Sequence, residues 1–197
     1  MRRSSPGLIV YSGTVAILGL GLFCTSARAD EAACKGLADA MIANTQTPYH
    51  SIGTISFDVS GGTAEASGAN MSRSLPTETI FTGTDVFVRL PSGKWQNVHA
   101  SLDNLKERVR QTASSFTDCQ RLGDETADGK SLAVYTGSTK NDQAIVTTKV
   151  WVAPDRGVLV RTETDMTGMP QPDGEIRRQH LALHYDYNDI KAPTDLQ

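Results

Sequence analysis

The sequence lacks the short motifs by which the common enzyme classes are recognised. It contains neither G-x-S-x-G nor H-E-x-x-H, and its glycines, including the pair Gly61-Gly62, do not form a phosphate-binding loop. Asp and Glu are scattered, so the sequence alone pairs no two of them as general acid and base. We therefore predict a protein that is not an enzyme and needs no cofactor, with a hydrolase as the weakest alternative.

Spacing typical of metal ligands is also missing. The four His include one pair four residues apart, His180 and His184, which would suit zinc if it lay on a helix. Alternation of apolar and polar residues around the pair predicts a strand, on which four residues span about 13 Å, too far for one ion. We predict no metal site, and two His on one face of a sheet near solvent.

Positive charge is scarce beyond the first 29 residues. The remaining 168 residues carry 16 Lys and Arg against 22 Asp and Glu, a net charge of −6, and no basic run. This balance argues against a nucleic-acid partner. The length suits one domain with its own core, and we predict a single domain over residues 30–197.

Long apolar runs are confined to the N-terminus. Arg2 and Arg3 precede a mostly apolar stretch at 8–23, followed by the small-x-small sequence Ala27-Arg28-Ala29. This order is typical of a signal peptide. We predict that residues 1–29 are removed, that no integral membrane segment then remains, and that the protein is periplasmic or secreted, most simply in a Gram-negative envelope. A retained N-terminal anchor is the alternative, although the run is short for a membrane span.

Cysteine is rare: Cys24 lies in the leader, and Cys34 and Cys119 are the two that remain. In an oxidising compartment such an isolated pair most simply forms a disulfide, here closing a loop of 85 residues. The redox motif C-x-x-C is absent. Two buried free thiols are the alternative.

Two stretches have the period of an amphipathic helix. In residues 30–44 apolar side chains recur at steps of three and four, and Asp30 or Glu31 suits the first turn by its charge. In residues 101–116, Ser101 can cap the helix. The apolar stripe of this second helix consists of Leu102, Leu105 and Val109, with Thr112 and Phe116 as further candidates. Its basic residues lie off the stripe, which favours an ordinary solvated face over a membrane-docking helix.

Most of the remaining chain alternates with a period of two, which predicts strands. The strongest signal is a hairpin within residues 144–165, where two runs rich in Val, Ile and Thr flank the link Ala153-Pro154-Asp155-Arg156-Gly157. Both faces of its first strand carry apolar groups, so we place it inside a sheet. Further strands are predicted from residue 51, at 77–82, 84–90, 94–98, 132–136 and 175–187, with a weak strand at 63–74, a turn at 123–130 and a loop at 168–174.

The connections between these strands are short, which favours antiparallel neighbours. A single antiparallel sheet of about eight to ten strands curls under its own twist and leaves a concave face to be covered. We predict an α+β fold. It consists of a curved antiparallel sheet, an incomplete β-barrel, whose concave face is covered by an N-terminal helix and a mid-chain helix.

The hairpin also carries a resemblance to a known family. Trp151, Pro154, Gly157 and Arg161 follow a W-x-x-P-x-x-G-x-x-x-[KR] pattern that resembles the periplasmic lipoprotein-carrier superfamily of LolA, LolB and the LppX-like carriers. The closing segment at 185–193 is similar to that family's last strand, which often ends in Pro after an aromatic run. The resemblance implies an unclosed β-barrel with helices plugging its mouth and an apolar interior that takes acyl chains.

Four residues are candidates for contact with such a ligand: Trp95, Trp151, Arg161 and Tyr185. The two Trp also suit a core, and Arg161 also suits an exposed ion pair with Glu163 in place of an anion gate. We predict a non-enzymatic periplasmic protein that binds a hydrophobic or amphipathic ligand, a lipid or a lipoprotein acyl chain, in the half-barrel cavity. The alternative is an envelope structural or protein-interaction module with a filled core and no small ligand.

Overall fold

The structure, a computed structural model, describes residues 30–60, 71–99, 101–141, 143–168 and 176–196. Its helices and strands over these ranges are, in chain order, α1 (Glu31–Asn44), β1 (Tyr49–Ser60), β2 (Met71–Phe81), β3 (Val86–Arg89), β4 (Trp95–Asn97), α2 (Leu102–Ser114), β5 (Thr117–Ala127), β6 (Lys130–Lys140), β7 (Ala144–Ala153), β8 (Val158–Gly168) and β9 (Ile176–Asp186). The leader, the Gly61-Gly62 turn and most of the predicted segments at 63–74 and 168–174 lie outside the described residues.

These strands form one sheet in the order β4-β3-β2-β1-β9-β8-β7-β6-β5. Every neighbouring pair is antiparallel. Because β1 pairs with β9, the first and last strands of the domain meet near the middle of the sheet. Over the ranges given above, β4 and β5 are the two edges and do not pair with each other, so the sheet is not closed. The predicted α+β fold with a curved antiparallel sheet is confirmed.

A side chain caps the start of each helix, at the predicted cap Ser101 for α2 and at Asp30, which was predicted only to suit the first turn by its charge, for α1. The Asp30 carboxylate accepts a hydrogen bond from the backbone N–H of Ala32 at 3.0 Å. The Ser101 hydroxyl accepts one from the backbone N–H of Asn104 at 3.4 Å. These side chains satisfy N–H groups that have no partner within the first helical turn, so each helix starts at a defined residue.

α1 lies directly on the sheet, with Ala33, Leu37 and Ala40 buried. The residues that form one core cluster with them are Phe116, Cys119, Val150, Val152 and Leu159. The predicted disulfide is present and joins Cys34 of α1 to Cys119 of β5, with the two Cα atoms 5.0 Å apart. The helix is therefore held by apolar packing along its length and by a covalent bond to an edge strand.

The helices cover one face of the sheet, which we call the inner face, and leave the outer face opposite it. Side chains alternate along a strand, so Val150 and Val152 lie on the inner face against α1, and Trp151 between them lies on the outer face. Residues directly opposite each other on neighbouring strands share a face. The register therefore places Thr162 of β8, which pairs with Val150, on the inner face as well.

One turn prediction is wrong, because most of the segment at 123–130 belongs to β5. The pairing of β5 with β6 shifts register between Arg121 and Gly123, where Gly123 has a φ of 102°. A glycine with positive φ is a common feature of a β-bulge, which lets a strand continue through turn-like sequence. The turn itself shrinks to Asp128 and Gly129, whose φ values of 51° and 73° suit a two-residue hairpin turn.

A second prediction divided what is one strand. β2 runs from Met71 to Phe81 through Pro76, where the sequence analysis separated a weak segment at 63–74 from a strand at 77–82. Proline is tolerated in a strand at a sheet edge, where its missing N–H is not needed by a neighbour. Over the part of the chain that the structure describes, β3 pairs with β2 only at Thr79, Ile80 and Phe81, so Pro76 lies on an open stretch of edge.

Candidate ligand-binding cavity

A cavity of about 210 Å³ lies between the two helices and the inner face of the sheet. The helical side of the cavity consists of Met41, Asn44, Thr45, Leu105 and Val109. The sheet side consists of Tyr49, Phe81, Thr148, Val150, Leu159, Thr162, Thr164 and Tyr185. The predicted apolar stripe of α2 therefore faces this space through Leu105 and Val109. α2 covers it lightly, because Ala113 is the only residue of that helix that is buried.

The lining combines apolar groups with neutral polar ones. No described residue that lines the cavity carries a charged side chain. The Thr148 and Thr164 hydroxyls lie 3.5 Å apart on neighbouring strands. Thr162, two residues before Thr164, is buried, and its hydroxyl lies beside that of Tyr185. The cavity can accommodate an apolar group together with a few hydrogen-bonding atoms, but it has no countercharge for an ion.

Aromatic residues form the wall on the β1 and β9 side. The Tyr49 ring lies 5.6 Å from that of Phe81 and meets the Tyr185 ring edge-on at 5.3 Å, a favourable arrangement. Burial, with a smaller contribution from Tyr185, raises the pKa of the Tyr49 hydroxyl, and burial also raises the pKa of Tyr185. Both phenols are therefore uncharged at neutral pH, and the wall presents neutral rings and hydroxyl groups.

Tyr187 fastens the C-terminal end of α1 to the sheet. Its hydroxyl lies 2.7 Å from Oδ1 of Asn44 and 2.5 Å from the carbonyl oxygen of Leu159. Both of these residues also line the cavity. The position of α1 over this end of the cavity is thus set by a polar anchor as well as by apolar packing.

A second cavity, of about 380 Å³, lies at the open edge of β2. Ile55 and Leu75, which are directly opposite each other on the inner face, contribute to it together with Leu90 and Pro91 beyond the end of β3. The inner face is therefore accessible here and carries apolar side chains, and Thr77, Glu78 and Arg89 also line this second cavity.

The predicted ligand residues do not come together. Tyr185 lines the first cavity, whereas Trp151 and Arg161 lie on the outer face. Arg161 makes the predicted ion pair with Glu163. Its guanidinium lies 4.7 Å from the Trp151 ring centre. Ligand contact at these four positions remains a prediction, and the geometry favours Tyr185.

Trp151 has a full set of protein partners on the outer face. Its exposed fraction is 4%, and its indole N–H donates to Oε2 of Glu125 at 2.7 Å. The Lys149 ammonium lies 4.3 Å from the ring centre. This arrangement matches the structural role that the sequence analysis kept as the alternative.

Trp95 is also on the outer face, near the β4 edge. The ring lies 5.8 Å from the Arg89 guanidinium carbon and 6.4 Å from the His50 ring. Arg89 and His50 both contact the Glu78 carboxylate, at 2.8 Å each. Burial alone would raise the pKa of Glu78, but these two partners together lower it. Trp95 thus stands beside a small ion-pair network and away from the helix-covered cavity.

His180 and His184 lie on β9, so the predicted strand geometry is confirmed. The His180 Nδ1 atom lies 2.8 Å from Oδ1 of Asp165 on the neighbouring strand. No group of three or more potential ligands among His, Cys, Asp and Glu is placed to hold a metal ion in the ranges that the structure covers. Neither described helix is long and apolar enough to cross a membrane.

The sequence analysis did not single out the threonines of the cavity. Thr148 alternates with Val150 along β7, and Thr162 and Thr164 alternate along β8. The pattern that could have revealed them is therefore a Thr that recurs at inner-face positions of two adjacent strands. It could not be interpreted before the register was known, because a Thr on the outer face of a strand has the same pattern.

No protein-family model and no curated protein matches this chain. Similar solved structures include the lipoprotein LppX of Mycobacterium tuberculosis, with 18% identity, coverage of 83% of this chain and 100% of that chain, and a TM-score of 0.42. LprF from Mycobacterium bovis is 11% identical, with coverage of 86% and 100% and a TM-score of 0.45. Both proteins are similar to this chain over most of its length, at low sequence identity and low TM-score.

Proposed function

We propose that this is a non-enzymatic protein of the bacterial envelope that binds a hydrophobic or amphipathic ligand, a lipid or a lipoprotein acyl chain, on the inner face of its sheet. The observation that carries the proposal is the cavity between α1, α2 and the sheet, whose described lining has apolar and neutral polar groups but no charge. Ligand sites are typically concave and mostly apolar, with a few polar groups that orient the ligand.

The size of the cavity indicates how such a ligand would lie. At about 210 Å³ it is smaller than the ~300–1,000 Å³ typical of sites for drug-sized ligands. A lipid chain would therefore place one end in the cavity and extend along the uncovered inner face. Partly exposed apolar side chains continue in that direction, among them Phe57 and Met166, with exposed fractions of 36% and 37%.

The test is to express the protein with its leader in a Gram-negative host, purify it without detergent, and analyse it by native mass spectrometry. We expect bound species that dissociate as lipid on activation. In the variant Val109→Trp, a large ring on α2 fills the cavity, and the bound species should be lost. The matched control is Val98→Trp, because Val98 is 46% exposed and does not line the cavity.

Two results would contradict the proposal. One is wild-type protein that stays empty even after incubation with envelope lipid extract. The other is equal lipid loading of the wild type and both variants, which would place the lipid outside this cavity. An empty protein would favour the alternative of a structural or protein-interaction module. Against that alternative, Ile52, Leu122 and Ile145, three of the exposed apolar residues that the structure describes, lie on non-adjacent strands and do not form one patch together.

A further inference from the structure

One long edge of β2 has no neighbouring strand in the part of the chain that the structure describes. β3 pairs with β2 only over residues 79–81, so the stretch at 71–78 is open on that side. The side chains of Ser74 and Pro76 within this stretch are exposed. Solvent, or an added strand, can therefore reach the backbone here.

One backbone hydrogen bond shows which amides of β2 point to this open edge. The Thr82 N–H donates to the Asp85 carbonyl oxygen at 3.0 Å, so the backbone groups of Thr82 point to the β3 side. Successive residues of a strand direct their N–H and C=O groups to opposite edges. The residues of β2 that point to the open edge are therefore Ser72, Ser74, Pro76 and Glu78. Pro76 lacks a donor, but the other three offer both a donor and an acceptor.

The two terminal edges of the sheet are less available. On the β4 edge, the Trp95 N–H donates to the Asp195 carbonyl oxygen at 3.2 Å, and Leu196 forms a parallel bridge with Trp95. The β5 edge has two register shifts, and bulges of this kind hinder the addition of a further strand. The β4 contact also shows that an extended segment can lie against this sheet.

An apolar hollow accompanies the open edge. The cavity of about 380 Å³ described above has Ile55, Leu75, Leu90 and Pro91 in its lining. When an extended peptide adds to a sheet edge, main-chain hydrogen bonds supply affinity and pockets for alternate side chains supply specificity. The β2 edge provides both elements at one place.

The charges beside the hollow indicate the kind of peptide that fits. Arg89 and Glu78 line the cavity and form an ion pair with each other at 2.8 Å. Arg73, two residues before Leu75 on the same face, and Lys94 are both exposed. The edge is thus flanked by cations, although residues 30–197 as a whole have a net charge of −6. An acidic partner complements these cations, whereas a second copy of this chain would bring its own Arg73 to the same edge.

We propose that the open edge of β2 binds an extended, acidic segment of another protein as an added strand, with a large apolar side chain of that segment in the hollow beside Leu75. This interaction goes beyond the proposed function and does not depend on a lipid in the helix-covered cavity. The protein would then have two separate surfaces, one for a lipid and one for a polypeptide.

The test begins with a random-peptide phage library selected on the purified mature chain. We expect the enriched peptides to be acidic and to contain a large apolar residue. The best one is synthesised with a fluorescent label, and its Kd is measured by fluorescence anisotropy. Ser74→Pro removes an outward N–H and should weaken binding at least about tenfold. Pro76 shows that this edge tolerates a proline ring at an outward position. The matched control Ser74→Ala keeps the N–H and should change the Kd by less than about twofold.

Two further measurements address the backbone and the charges separately. Methylating alternate amide nitrogens of the peptide should abolish binding in one of the two phases and spare it in the other, because only alternate amides face β2. This comparison uses the wild-type chain, so it holds even if a variant folds poorly. The double variant Arg73→Glu with Lys94→Glu should weaken the acidic peptide at least about tenfold.

Several outcomes would overturn the proposal. They are a selection that enriches no peptide over the bare support, equal binding by both methylated forms, and equal binding by wild type and Ser74→Pro. A wild-type dimer in sedimentation equilibrium that becomes monomeric in Ser74→Pro would make a second copy the occupant, and the acidic partner would be wrong. Lipid loading in native mass spectrometry should be the same in wild type and Ser74→Pro. Its failure in both would contradict the proposed function while leaving the peptide site intact, and its loss in Ser74→Pro alone would contradict the separation of the two surfaces.

Discussion

Leu37 of α1 lies over Gly137 of β6 so closely that a Cβ atom added to this glycine would come within 2.7 Å of the Leu37 Cδ2 atom. The same Cβ would lie 3.1 Å from the Cys119 sulfur and 3.1 Å from a ring carbon of Phe116. The absence of a side chain at one position of β6 therefore allows α1 to approach the sheet. The close distance between α1 and the sheet also determines where α1 borders the cavity, because Met41 and Asn44 near the end of this helix line it.

We predict that Gly137→Ala destabilises the protein. Leu37 is fully buried and Phe116 and Cys119 are packed beside it, so the extra methyl group can be accommodated only by shifting α1 or the disulfide. Overpacking of this kind typically costs about 1–3 kcal/mol. The free energy of unfolding in urea measures the change. Ser131→Ala, at an exposed position of the same strand, is the control and should stay within about 0.5 kcal/mol. Equal stability of the two variants would show that α1 is not held against Gly137.

The disulfide supports a second prediction. The bond between Cys34 and Cys119 closes a loop with a sequence separation of 85, for which the loop-entropy model gives roughly 4–5 kcal/mol of stabilisation. We expect the double variant Cys34→Ser with Cys119→Ser to unfold at markedly lower urea concentration. Adding dithiothreitol to the wild type should reproduce most of this loss and should not affect the double variant. A wild type whose unfolding does not respond to the reductant after complete thiol release would refute the prediction.

Export and processing form a third prediction. Asp30 caps α1, and its backbone N–H donates to the Cys119 carbonyl oxygen at 3.1 Å, so this residue is fixed to the sheet. We expect cleavage after Ala29 when the full-length chain is expressed in a Gram-negative host. Intact-mass spectrometry of the periplasmic fraction should give a chain that starts at Asp30 and has no free thiol, since Cys24 is removed with the leader. Recovery of the uncleaved chain in the membrane fraction would instead support a retained anchor.

Local signals were sufficient for the elements that the sequence analysis predicted correctly. The cap at Ser101 and the hairpin around Pro154 depend on a few neighbouring residues, and the disulfide follows from the number of cysteines and the predicted compartment. The extents of β5 and β2 were predicted wrongly because Gly123 and Pro76 are residue types that are unfavourable in a regular strand. Tertiary context, a bulge in one case and an open edge in the other, makes both acceptable.

The residues that line the cavity could not be predicted for a different reason. Alternation along β7 shows that Val150 and Trp151 lie on opposite faces, but both are large and apolar, so the pattern does not tell which face the helices cover. The helices cover the Val150 side, which places Trp151 and Arg161 outside and brings Thr148, Thr162 and Tyr185 to the cavity. Because the two faces look alike in sequence, the candidate list mixed Tyr185, which lines the cavity, with Trp151 and Arg161 on the outer face.

The aromatic wall supports a fourth prediction, about alkaline pH. Burial, reinforced by neighbouring tyrosines, raises the pKa of Tyr49 and of Tyr187, and burial raises that of Tyr185. Above about pH 10, the ordinary pKa of tyrosine, the unfolded chain loses protons that the folded protein keeps. The stabilisation is therefore fully present below that pH, and the free energy of unfolding falls as pH rises further.

We expect the thermal midpoint to fall steeply from about pH 10 to about pH 11. Tyrosinate absorbance at these three positions should appear together with unfolding. Tyr49→Phe removes one ionisable group and keeps the aromatic ring, so the midpoint of this variant should fall less steeply over the same range. If the folded protein instead ionised all its tyrosines near pH 10 with no loss of its near-ultraviolet circular dichroism, the phenols would be open to solvent and the closed wall of the cavity would be disproved.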